Sequence, residues 1–177
     1  MKLRAHTAAT ILSDKHNVCT ESTEWIRSLP TDTTARQAWQ LCQRSDWMLW
    51  LLGQLSDPPE SDARKRLVLC CCEVARTALV HVPAGEDRPR IAIETAEAWA
   101  RGQATIEQVI AAASAAASAA GAASAAYAAA YAAVYAAYAA AYSAAYAART
   151  KALATCADIV RKHYPHAPHI RGKGESK

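Results

Sequence analysis

The stretch that decides the fold is Ala111–Ala148, AAASAAASAAGAASAAYAAAYAAVYAAYAAAYSAAYAA, which holds only Ala, Ser and Tyr apart from Gly121 and Val134. It carries no charge. Six of the seven tyrosines lie in it, at 127, 131, 135, 138, 142 and 146, in steps of 4, 4, 3, 4 and 4. At about 100° per residue all six fall within a stripe of roughly 100° on one α-helix. Ala has the best helix propensity, no proline occurs between Pro89 and Pro165, and the period-two alternation of a strand is missing. A long helix follows. One straight helix from Thr105 to His163 would run roughly 90 Å at 1.5 Å per residue, too long for a compact domain of this size. Gly121 is the backbone weak point, so a bend or a helix hairpin is expected there.

An uncharged Ala face needs a close neighbour, and each Tyr needs a partner for its hydroxyl. The structural reading is an Ala ridge packed on the domain with Tyr filling the seam. The functional reading is a groove lined by Tyr127, Tyr131, Tyr135 and Tyr138 that receives a ligand or a protein. Homo-oligomerisation through the Ala-rich helix is a further way to cover that face. Tyr127/Tyr138, Tyr131/Tyr142 and Tyr135/Tyr146 repeat at eleven residues, which keeps a face nearly straight. An ice-binding helix would share that feature, although small Thr suits a flat ice face better than Tyr.

Working outward, the 177 residues fit an all-α helical bundle: a single domain over 1–164 with its Ala-rich region at about 105–163, and a basic, disordered tail over 165–177. The net charge of +4 sits at the end: seven Lys/Arg against Asp158 and Glu175 from Arg149 onward give +5. Thr31–Thr34 offers N-caps for a helix from Ala35 to about Gln43, Ser45-Asp46 for Trp47–Leu55, and Ser61-Asp62 for Ala63 to about His81. Trp47–Leu55 is apolar nearly all round and reads as core. Pro89 suits the first turn of a helix ending at Gly102, and Thr105 with Gln108 makes a capping box for the long helix.

Met1–Arg4 leads into a polar segment with no apolar run of signal-peptide length, and the Ala run lacks the Leu/Ile/Val content of a membrane span. A cytoplasmic protein is expected. The six cysteines lack a CxxC pair, and Cys70-Cys71-Cys72 reads as reduced, partly buried thiols. Neither a nucleophile motif, a Gly-rich phosphate loop nor a paired-carboxylate spacing is present, so no enzyme and no cofactor are expected. His163, His166 and His169 step by three and would share a face of an extended segment; they are the candidates for a metal, against incidental His in a tail. The basic tail lacks a nucleic-acid recognition motif, and nucleic acid is not expected as a partner.

The densest polar cluster is Asp87–Trp99. Arg90 and Glu94 are four apart and can pair. Arg88 at a helix start opposes the dipole preference for acids there. Its structural role would be a fork bonded to a carbonyl or to Asp46; its functional role would be an anion clamp. The run Arg88-Pro89-Arg90-Ile91-Ala92-Ile93-Glu94-Thr95-Ala96-Glu97-Ala98-Trp99-Ala100-Arg101-Gly102, followed by the Ala-rich helix, resembles the immunity proteins of bacterial toxin systems, an Ala-rich helical group also found in phage genomes. Lys65-Arg66-Leu67 with Cys70-Cys71 resembles that group as well. The likeness is specific over Arg88–Gly102 and weakens before Trp25 and after Ala148, and within the Ala repeat Tyr stands in place of the group's His, Trp or charged residues. It implies a non-catalytic protein that neutralises a toxin or other protein by sequestration. The alternative is a sponge for a small anionic, nucleotide-like immune signal, with Arg88, Arg90, Glu94, Trp99 and the four tyrosines as the binding residues. A purely structural helical protein comes third.

Overall fold

A computed structural model of the chain describes residues 3–15, 18–55, 61–131 and 138–170. Among these it is all-α: α1 (Ala5–Lys15), α2 (Thr20–Ser28), α3 (Ala35–Leu41), α4 (Ser45–Leu55), α5 (Asp62–Arg76), a 3-10 turn (Leu79–His81), α6 (Arg88–Ala100), α7 (Ile106–Tyr131) and α8 (Tyr138–His163). The side chains of residues 119–147 lie outside the described set, and so does the whole tyrosine stripe. α7 is continuous across Gly121, so the chain does not break there. One Gly costs a helix only about 1 kcal/mol relative to Ala, and this one is flanked on both sides by runs of Ala.

The chain divides into two compact units, one discontinuous (Met1–Ser56 with Leu153–Lys177) and one continuous (Asp57–Ala152).

In the discontinuous unit, residues 3–5 run antiparallel to residues 33–35. Ala5 N–H donates to the Thr33 carbonyl and Ala35 N–H to the Leu3 carbonyl, both at 2.9 Å. These are first-turn amides of α1 and α3, which have no acceptor within their own helices. Thr34 completes the start of α3 with a capping box: its hydroxyl accepts from Gln37 N–H while Gln37 Oε1 accepts from Thr34 N–H. Ala8, Leu12 and Ile170 form a buried cluster against which Leu3, Ile11, Val18, Ala35, Leu51 and Leu55 pack. The expected all-round burial of α4 is not seen: Ser45, Met48 and Leu52 are buried, while Trp47, Leu49, Trp50 and Leu51 are half-buried.

The tail expected to be disordered from 165 is placed as far as Ile170, which is 8% exposed. Two hydrogen bonds hold its start. Trp39 Nε1 donates to the Tyr164 carbonyl at 2.9 Å, and Gln40 Nε2 donates to the Pro165 carbonyl at 2.8 Å. Arg161 donates to the Cys42 carbonyl at 2.6 Å, reaching the end of α3, and pairs with Asp158 at 2.7 Å.

In the continuous unit, α5 packs on α6 and α6 packs on α7. α5 starts as expected, with Ser61 accepting from Arg64 N–H, but stops at Arg76 rather than near His81. Thr77 takes the cap position and donates its hydroxyl to the Val74 carbonyl. α6 ends in a Schellman motif. Gly102, at φ 76°, donates to the Trp99 carbonyl, and Gln103 N–H donates to the Ala98 carbonyl. The left-handed conformation is why Gly stands here. Thr105 and Gln108 then exchange the capping-box hydrogen bonds that open α7. The two motifs back to back make the tight turn that lays α6 along α7.

All six thiols are free. Cys70 and Cys72 are buried, and burial pushes their thiols up to about 12 and about 11. Cys71, expected to be at least partly buried, is exposed, because consecutive helical residues point about 100° apart. Mild alkylation of native protein at pH 7.5 should modify Cys19 and Cys71 at least tenfold faster than Cys42, Cys70, Cys72 and Cys156. Peptide mapping by mass spectrometry reads the order, and equal rates at Cys70 and Cys71 would contradict it.

Candidate functional site

Asp87–Glu94 opens α6 in the continuous unit, with Pro89 in the first turn. Arg88 is not the capping fork of the structural expectation. Its Nε donates to Glu86 Oε1 at 2.7 Å, and its own backbone N–H reaches the same oxygen at 3.1 Å. This pairing holds the Glu86 carboxyl down to about 2. Arg90 bridges Asp87 and Glu94, each at 3.0 Å, so the i,i+4 pair with Glu94 forms. Each guanidinium is thereby faced by at least one carboxylate of its own segment.

Asp46, the acid considered for Arg88, belongs to Arg44. The arginine that does bond helix-end carbonyls is Arg161. Trp99 is half-buried on α6. Tyr127, Tyr131, Tyr135 and Tyr138 lie outside the described side chains. His163, His166 and His169 do not converge: among the described residues, no group of three His, Cys, Asp or Glu is placed to hold a metal ion.

What the α6–α7 hairpin adds is exposed apolar surface. Ile91 on α6 is 45% exposed, and it sits in the first two turns, among Asp87, Arg90 and Glu94. Ile106 and Ile110 stand one turn apart on α7, at 48% and 60% exposed. On the same helix, Val109 and Ala112 are half-buried, so the helix has a covered face and an uncovered one. Isolated exposed apolar residues are ordinary, but an i,i+4 isoleucine pair is a small patch. A carboxylate–guanidinium cluster beside Ile91 gives it the charged surroundings of a protein-interface rim.

The discontinuous unit holds a feature the sequence reading missed. Trp25, Trp39, Trp47 and Trp50 line a cavity of about 110 Å³ among α1–α4 and residues 167–170. Trp25 and Trp47 meet at 5.8 Å between ring centres, tilted by 49°. The Arg44 guanidinium lies 4.2 Å from the Trp47 ring centre while bonded to Asp46 and Glu21. The signal in the sequence was five Trp in a chain with no Phe. Nothing local in the sequence shows that four of them face one space.

Among the described residues, no helix is long and apolar enough to cross a membrane. No protein-family model, curated protein or solved structure matches the chain.

Proposed function

We propose that the chain is a non-catalytic binding protein of the immunity type, which sequesters a protein partner on the α6–α7 hairpin. The observation that carries this is the exposed Ile106–Ile110 pair on a helix that also has a half-buried face, with Ile91 set among paired charges on the neighbouring helix. Fully burying one Ile is worth about 1.5–3 kcal/mol, and the ion pairs alongside supply orientation more than affinity. The hairpin needs little ordering on binding, because the Schellman motif and the capping box already fix its turn. A protein partner is preferred to a small anionic signal, because Arg88 and Arg90 are already engaged by Glu86, Asp87 and Glu94. An anion would have to displace those carboxylates.

Native mass spectrometry of the protein purified from producing cells tests this. A stoichiometric protein adduct is expected, and Ile106→Glu with Ile110→Glu should weaken it at least about 30-fold, roughly 2 kcal/mol, with helicity unchanged. A wild-type protein that emerges bare, or carrying only a nucleotide-sized mass, would sink the proposal.

A further inference from the structure

We infer that the tryptophan-lined cavity of the discontinuous unit is a binding site for a small, uncharged aromatic molecule of about benzene size. The inference concerns a different unit from the hairpin and stands apart from the proposed partner.

Three observations carry it. The first is size. An apolar cavity of about 150 Å³ in another protein takes up benzene or xenon, and this half-open pocket is of the same order. At about 110 Å³, this one suits a single ring at most. Small residues make the space: Ala8 and Ala9 on α1 are buried at its wall, where any larger side chain would project into it.

The second is chemistry. The wall is almost wholly apolar, and the small polar side chains on it are already committed. The hydroxyls of Ser22 and Thr23 both donate to the Cys19 carbonyl, at 2.9 and 3.2 Å. The Cys42 thiol donates to the Arg44 carbonyl. A charged or strongly hydrogen-bonding ligand would therefore lose its hydration without replacement. An aromatic ring loses nothing and gains offset or edge-to-face contact with the indoles.

The third is rigidity. Trp39 is fixed by its hydrogen bond to the Tyr164 carbonyl. Trp47 lies under the Arg44 guanidinium, itself held by Asp46 and Glu21. The rings are thus oriented by groups outside the cavity, and binding need not order them. Trp25, Trp47 and Trp50 are only half-buried, so the site borders the surface.

The test is titration of the full chain with benzene, read by calorimetric melting temperature and by tryptophan fluorescence. Both should change saturably. Ala8→Leu, which fills the space, should weaken the response at least tenfold. Ala9→Val supplies the same filling in a milder step, should Ala8→Leu fail to fold. Benzoate, the same ring with a charge, should give no response. The inference fails if benzene changes neither signal, if the filled variants respond like wild type, or if benzoate binds as well as benzene.

Discussion

Trp39→Ala should cost the discontinuous unit about 3–5 kcal/mol, the range for removing a large buried aromatic. Trp39 is 5% exposed, lines the cavity wall, and donates its indole N–H to the Tyr164 carbonyl at 2.9 Å. Its removal therefore enlarges an existing cavity and releases the segment that carries Ile170. A loss of that size is a large share of the 5–15 kcal/mol a domain commonly has. Hydrogen exchange is the suitable readout because it resolves regions. Amides of α1 and α3 should lose protection by two orders of magnitude or more, while those of α5 and α6 change little. Trp39→Phe keeps much of the ring and loses the donor, and should cost about 1–3 kcal/mol. A loss below 1 kcal/mol for Trp39→Ala would mean that this side chain does not organise the unit.

Arg161→Ala should rank second, at about 1–3 kcal/mol, the cost of orphaning acceptors that a charged donor had satisfied. The Arg161 side chain is 17% exposed and reaches the Cys42 carbonyl at 2.6 Å, with the Trp39 carbonyl at 3.5 Å. Cys42 is the C-cap of α3, so the guanidinium also meets the negative end of that helix. Arg161→Lys should recover less than half of the loss, since a single ammonium lacks the planar fork that serves carbonyl and carboxylate together. Asp158→Asn is the control. Asp158 is 78% exposed, and its pair with Arg161 should contribute at most about 1 kcal/mol. Denaturant titration of the three variants gives the order, and an Arg161→Ala loss no larger than that of Asp158→Asn would refute the carbonyl-capping role.

How legible all this was depended on how local the cause is. Thr34 with Gln37, Ser61 with Arg64, and Thr105 with Gln108 act within one helical turn, and each reads directly from the chain. So does Gly102, because a left-handed helix end has few other residues to choose from. That α7 does not break at Gly121 reflects the flanking alanines, whose propensity outweighs one glycine. Which face of α4 is covered was also invisible: Trp47–Leu55 is apolar all round, and only its neighbours decide that Met48 and Leu52 go in. The cavity is the extreme case, since Ala8 and Pro168 line one wall from opposite ends of the sequence. For the α6–α7 hairpin, Arg90–Glu94 was readable from spacing. The neutralisation of Arg88 by Glu86 was not, because it depends on a loop conformation before the helix.

The discontinuity of the first unit sets an order of events during synthesis. Within residues 57–152, α5, α6 and α7 follow one another in the chain and pack in that order, so they can fold as they emerge. Residues 3–55 cannot finish. Arg161 lies 119 positions after the Cys42 carbonyl it bonds, and Tyr164 lies 125 after Trp39. At about 5–20 residues per second, the ribosome needs on the order of 10 s to deliver them. For that interval the tryptophans of α2–α4 wait beside a wall that has not yet been made. The newborn chain is then at its most adhesive, and chaperone capture has its opening before residues 153–170 arrive.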